Sequence, residues 1–173
     1  MPSLAQSLLT TTPVSSLLRK ARRLGLHDVT DFIELAVERG CSHYRFSATT
    51  SGPPRNVPLP NDELTILLLV GENRYEPNAI RCAAQLARSP DIDPTRLARL
   101  AIREKCERVL AHISRAGSAH DAEGSNFWKT VLRNLPHETE RIEVNLPHWS
   151  RFVSMPGVQR NGPAPITWLV PRQ

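Results

Sequence analysis

The chain is 173 residues long, 40% apolar but only 5% aromatic, and carries 22 basic against 17 acidic side chains for a net charge of +5. Its length and apolar share suit one domain of ordinary size and exclude wholesale disorder. Scarce aromatics favour a core of Leu, Ala, Val and Ile, which packs helix on helix more readily than sheet on sheet. The sequence therefore predicts a mainly α protein: a helical bundle with a short β-hairpin-like tail at its C-terminus.

The most apolar run, Leu64 to Val70, falls far short of the ~20 residues a membrane span needs, so no membrane contact is expected. The first twelve residues place no basic side chain ahead of Leu8-Leu9, which makes a poor secretory signal. Cys41, Cys82 and Cys106 are odd in number and widely spaced. They suit no disulfide framework and point to a reducing compartment, the cytoplasm. The charge is unevenly spread: residues 1–60 carry +3, residues 61–124 carry −1 and residues 125–173 carry +3, with nothing acidic after Glu143. Most of the basic residues are arginine, which suits bidentate phosphate contacts, although a GC-rich coding bias gives the same skew.

In chain order, residues 1–48 read as a helical hairpin. Thr12-Pro13 is expected to start its first helix, Val14, Leu17, Leu18, Ala21 and Leu24 to form the apolar face, and Gly25 to close it. Asp28 or Thr30 caps the second helix, whose apolar face is Val29, Phe32, Ile33, Ala36 and Val37, and Gly40 ends it. Cys41 to Ser47 reads as a short strand. Residues 49–60 hold four prolines and no periodicity, a linker or long loop.

Residues 61–136 read as the helical core. Asn61 caps a helix through Val70, Pro77 or Asn78 opens another, and Asp93-Pro94 opens the longest, to about Ala116-Gly117. On that long helix Ala98, Ile102, Cys106, Val109, Leu110 and Ile113 share an inward face, and Glu104 and Arg108 form a favourable i,i+4 pair. Leu67, Ile80 and Ala84 are expected to be buried with Ile102, Cys106 and Val109. Ser125 or Asn126 caps a last helix carrying Phe127, Trp128, Val131 and Leu132. Residues 137–173 form a basic, β-prone tail with candidate strands at Arg141 to Val144, Arg151 to Met155 and Ile166 to Val170.

Three patterns suggest nucleic acid. Arg19, Lys20, Arg22 and Arg23 crowd the first helix, but a helix-turn-helix would put Asp28, Asp31, Glu34 and Glu38 against phosphates. The simpler reading is an antiparallel hairpin whose oppositely charged helices attract. Arg96, Arg99 and Arg103 form a stripe that reads more simply as a solvated face. In the tail, Arg151, Arg160 and Arg172 lie among Trp149, Phe152 and Trp168, a composition that suits base stacking but also a strand pair covering a core.

No catalytic, metal or phosphate-loop motif stands out and no cofactor is expected. Cys106 falls on an apolar face, and Gly71-Glu72-Asn73 follows a helix rather than a strand. The sequence thus points to a non-catalytic protein that binds nucleic acid, or a subunit of a nucleic-acid-handling complex. The expected contacts are Arg19, Lys20, Arg22, Arg23, Arg151, Arg160, Arg172, Trp149 and Trp168. An antitoxin-like adaptor that binds a protein partner is the alternative, with an enzyme whose site leaves no motif behind it.

Overall fold

The computed structural model describes residues 14–42, 55–137, 146–155 and 165–173. Among them are seven α-helices and one two-stranded antiparallel sheet at the C-terminal end. No helix among the described residues is long and apolar enough to cross a membrane.

Helix α1 (Ser16–Arg23) starts later than the sequence suggests, because Ser15 supplies the cap by accepting from the Leu18 N–H at 3.3 Å. Thr12 and Pro13 lie outside the described residues, and Val14 precedes the helix. At its C-terminus the Leu26 N–H reaches back to the Ala21 carbonyl, which buries Leu26 and turns the chain. Helix α2 (Val29–Glu38) is capped by Asp28, in a reciprocal box with Asp31. Its end repeats the device: the Cys41 N–H bonds the Ala36 carbonyl past Gly40 at φ +96°.

Beyond Gly40, no strand forms at Cys41 and Ser42, the described part of the candidate segment Cys41 to Ser47. Instead the buried Gln85 side chain accepts from the Ser42 N–H and donates to its carbonyl. Residues 55–60 run extended along α2, held by Arg55 on Glu34 and Glu38 and by Arg39 on the Val57 carbonyl and Asn61.

Helix α3 (Asn61–Leu67) is the centre of the bundle. Residues 64–70, the end of this helix and the turn after it, are all buried, and α1, α2, α4 and α5 pack on the helix. Asn61 is its first residue rather than its cap, and its side-chain amide donates to Asp91. A 3-10 turn over Gly71–Tyr75 leads to α4 (Pro77–Leu86), which Glu76 caps through the Asn78 N–H.

The long helix expected from residue 93 is two helices. Helix α5 (Pro94–Arg103), capped by Asp93, and helix α6 (Glu107–His120) are separated by a turn in which Lys105 takes φ +59°. The Cys106 N–H bonds the Ala101 carbonyl, so Lys105 occupies the left-handed helix-end position that glycine normally fills. The break resets the helical phase. Ala98, Cys106, Val109, Leu110 and Ile113 are buried, but Ile102 is 40% exposed. The i,i+4 pair of Glu104 with Arg108 is absent too, because Glu104 bonds elsewhere.

Helix α7 (Ser125–Asn134), capped by the backbone of Gly124 rather than by Ser125 or Asn126, lies against both α5 and α6. A Cβ added at Gly117 of α6 would sit 2.4 Å from the Trp128 ring, so this approach needs glycine. The buried Asp121 carboxylate joins three elements. It accepts from Arg88 at 2.6 Å, from Trp128 Nε1 at 2.8 Å and from the Gly124 N–H at 2.8 Å.

The tail enters as a 3-10 turn over Trp149–Phe152 and continues as β1 (Val153–Ser154), paired with β2 (Thr167–Trp168) in the register Val153 to Trp168. Phe152, Val153 and Trp168 complete the core. Ile166 and Val170, the ends of the candidate strand and on the same alternation as Trp168, are 45% and 46% exposed. The strand is too short to bring them in. The candidate strand Arg141 to Val144 lies outside the described residues.

Two substitutions check these assignments. Asp121→Ala leaves Arg88 and the Trp128 N–H without their buried acceptor and should cost about 3 kcal/mol in urea denaturation. Ile102→Asp should stay within about 0.5 kcal/mol of the parent, since the position faces solvent.

Candidate functional site

The charged residues of the hairpin do not attract one another as the sequence suggests. Glu34 and Glu38 of α2 pair with Arg55, Asp28 and Asp31 cap their own helix, and Lys20 of α1 pairs with Glu63 of α3 at 2.5 Å. Lys20 is therefore engaged. Arg19, Arg22 and Arg23 are exposed and make no ion pair among the described residues. The stripe on α5 is likewise divided, with Arg96 bonded to Asp62 at 2.7 Å, Arg103 to Glu104 at 3.1 Å, and Arg99 exposed.

The tail residues fall into different surroundings. Trp168 is 4% exposed, packs against Trp128 and Phe152, and donates to the Ala84 carbonyl, so its faces are closed to a base. Its burial follows from its place in the strand: the side of β2 that faces α6 is the side it occupies. Trp149 is partly buried and stacks on His120 at 3.8 Å. Arg151 and Arg172 are exposed, and Arg160 lies outside the described residues.

The C-terminal segment reaches the end of the N-terminal hairpin, through the Arg172 N–H on the Gly40 carbonyl at 2.9 Å. A Cβ at Gly40 would clash with Arg172 backbone at 2.2 Å. That contact is at the end of α2. Helix α1 meets the α5–α6 break instead.

At the break Glu104 is 7% exposed. Its carboxylate accepts from the hydroxyl of Ser15, from Ser16 at 2.7 Å and from Arg103 at 3.1 Å, so it fixes the start of α1 against the end of α5. Beside it opens a cleft of about 520 Å³ lined by Val14, Leu18, Val70, Gly71 and the cations Arg22, Arg74, Arg103 and Lys105. A second cavity of about 300 Å³ shares Arg74 and Lys105 and adds Arg108 and Glu107. Among the described residues, Glu104 is the only carboxylate lining the larger cleft.

The sequence reading missed Arg74 and Lys105 and took Arg103 for a solvated side chain. One signal was present: helical spacing from Leu97, Ala98 and Ala101 leads to Glu104, Lys105 and Arg108, all charged, so the apolar face stops there.

Other chemistry is poorly supplied. The three thiols are free and buried. Burial raises the pKa of all three, that of Cys82 to about 12, so they are poor nucleophiles. Among the described residues no group of three His, Cys, Asp or Glu side chains is placed to hold a metal ion. Compared with known proteins, the chain matches no family model, no curated protein and no solved structure.

Burial alone would raise the pKa of Glu104, but hydrogen bonds from Ser15, Ser16 and Arg103 outweigh it and hold the carboxyl below its ordinary value. A lowered folded-state pKa means that the ionised group stabilises the fold above the ordinary carboxyl range, and that this contribution is lost as pH falls through the folded value. Wild-type stability should therefore fall more steeply than that of Glu104→Gln below about pH 5. Parallel pH profiles of the two proteins would remove Glu104 from this role.

Proposed function

We propose that the chain is a non-catalytic protein that binds nucleic acid, alone or as a subunit of a nucleic-acid-handling complex, in the cytoplasm that its free thiols suit. The observation that carries the reading is the cleft beside α1, where four cations face one carboxylate that is already bonded three ways. Arg19 and Arg23 extend the basic surface outward along α1. Backbone strain at Lys105 supports it further, because a non-glycine residue with positive φ is costly and such residues gather at functional sites. The contact set differs from the one the sequence suggests: Arg22 is kept, while Arg74, Arg103 and Lys105 take the place of Trp168 and the paired Lys20.

An adaptor function draws on other residues. Met155, Ile166 and Val170 are exposed apolar side chains that flank the small sheet, and such side chains suit contact with a protein partner.

The test is a titration of labelled single- and double-stranded DNA and RNA at low and moderate salt. Binding should weaken log-linearly as salt rises, and Arg22→Glu/Lys105→Glu should lower affinity by about tenfold or more. Lys105→Gly should gain up to about 1 kcal/mol of stability by relieving the strain while still losing affinity. Absence of binding at low salt, or equal binding by the charge-reversed protein, would contradict the reading and favour the adaptor.

A further inference from the structure

The cleft beside α1 is small. At about 520 Å³ it lies within the range of small-ligand sites and holds one nucleotide unit rather than a length of strand or a duplex. Its lining is divided into two kinds. Val14, Leu18 and Val70 supply an aliphatic floor, while Arg22, Arg74, Arg103 and Lys105 supply the charge. Arg103 is paired with Glu104, and Arg22 and Lys105, which make no ion pair among the described residues, leave a formal +2 in that small space.

An internal phosphodiester brings one negative charge, whereas a phosphomonoester brings about 1.5 to 2 at neutral pH and three acceptor oxygens. A monoester therefore matches the excess better. Arginine forks grip it through paired hydrogen bonds. Lys105 and Arg22 have no competing ion pair among the described residues. Lys105 and Arg74 also line the neighbouring cavity, where Arg108 and Glu107 join them.

We propose that this cleft takes a phosphomonoester on a nucleoside-sized body, with the phosphate among Arg22, Arg74, Arg103 and Lys105 and the nucleoside on the aliphatic floor. Two sources share that chemistry: the terminal phosphate of a single strand and a free nucleotide. The inference rests on the nucleic-acid reading and narrows it from a strand-tracking surface to a site for strand ends.

The experiment uses the full chain and short oligothymidylates with a phosphate at the 5′ end, at the 3′ end or at neither, with adenosine monophosphate as competitor. A phosphorylated end should bind about tenfold tighter than a hydroxyl end, as expected for added charge-assisted contacts. The monophosphate should displace it. Arg22→Ala and Lys105→Ala should each shrink that difference, while Arg133→Ala, at an exposed position of α7 away from the cleft, should preserve it. Circular dichroism confirms that each variant is folded.

Equal affinity for phosphorylated and unphosphorylated strands would overturn the inference and leave the nucleic-acid reading standing. Binding of the monophosphate with no binding of any strand would support the pocket and overturn that reading. Failure of every probe would overturn both.

Discussion

One buried carboxylate organises the part of the molecule in which the cleft opens. Glu104 ends α5 where continued helix would have run straight on. It collects three hydrogen bonds there, from Ser15, Ser16 and Arg103. A carboxylate taken out of water needs such partners, because an unsatisfied buried charge costs several kcal/mol. The two serines come from the start of α1, and Ser15 both caps that helix and donates to Glu104. The same bonds that keep Glu104 ionised thus fix where α1 lies. With α1 fixed and the chain turned at Lys105, Arg22, Arg74, Arg103 and Lys105 line one cleft.

The rest of the bundle supports that arrangement from behind. Helix α3 is buried on every side and gives four helices a common surface. Splitting α5 from α6 lets both lie against α7, which a single straight helix of that length could not do. Asp121 then locks the far end by joining Arg88, Trp128 and Gly124. The C-terminal strands close the core with Phe152 and Trp168 and reach the hairpin at Gly40. The described part of the tail thus joins the hydrophobic core, where Phe152 and Trp168 are given over to packing.

Much of this was legible in the sequence, for identifiable reasons. The helix ends were marked by local chemistry: Asp28, Asp93, Pro77, Gly25 and Gly40 stand where caps and stops require them. The α5–α6 break was hidden because no glycine or proline marks it, and lysine fills a position that glycine usually holds. That omission misplaced Ile102 and concealed the cleft, since Glu104, Lys105 and Arg74 acquire their meaning only once α1 is docked. Composition was equally ambiguous in the tail. Aromatics mixed with arginines are common to stacking platforms and to strands that cover a core, and only the burial of Trp168 separates the two.

The central claim is that Glu104 and the serines of α1 act as one unit that builds the cleft. A double-mutant cycle between Ser16→Ala and Glu104→Gln, read by urea denaturation at neutral pH, tests it most directly. The account predicts that the two changes are strongly non-additive, with a coupling of about 1 kcal/mol or more. Effects that add to within about 0.3 kcal/mol would mean that α1 is held without Glu104, and would contradict it.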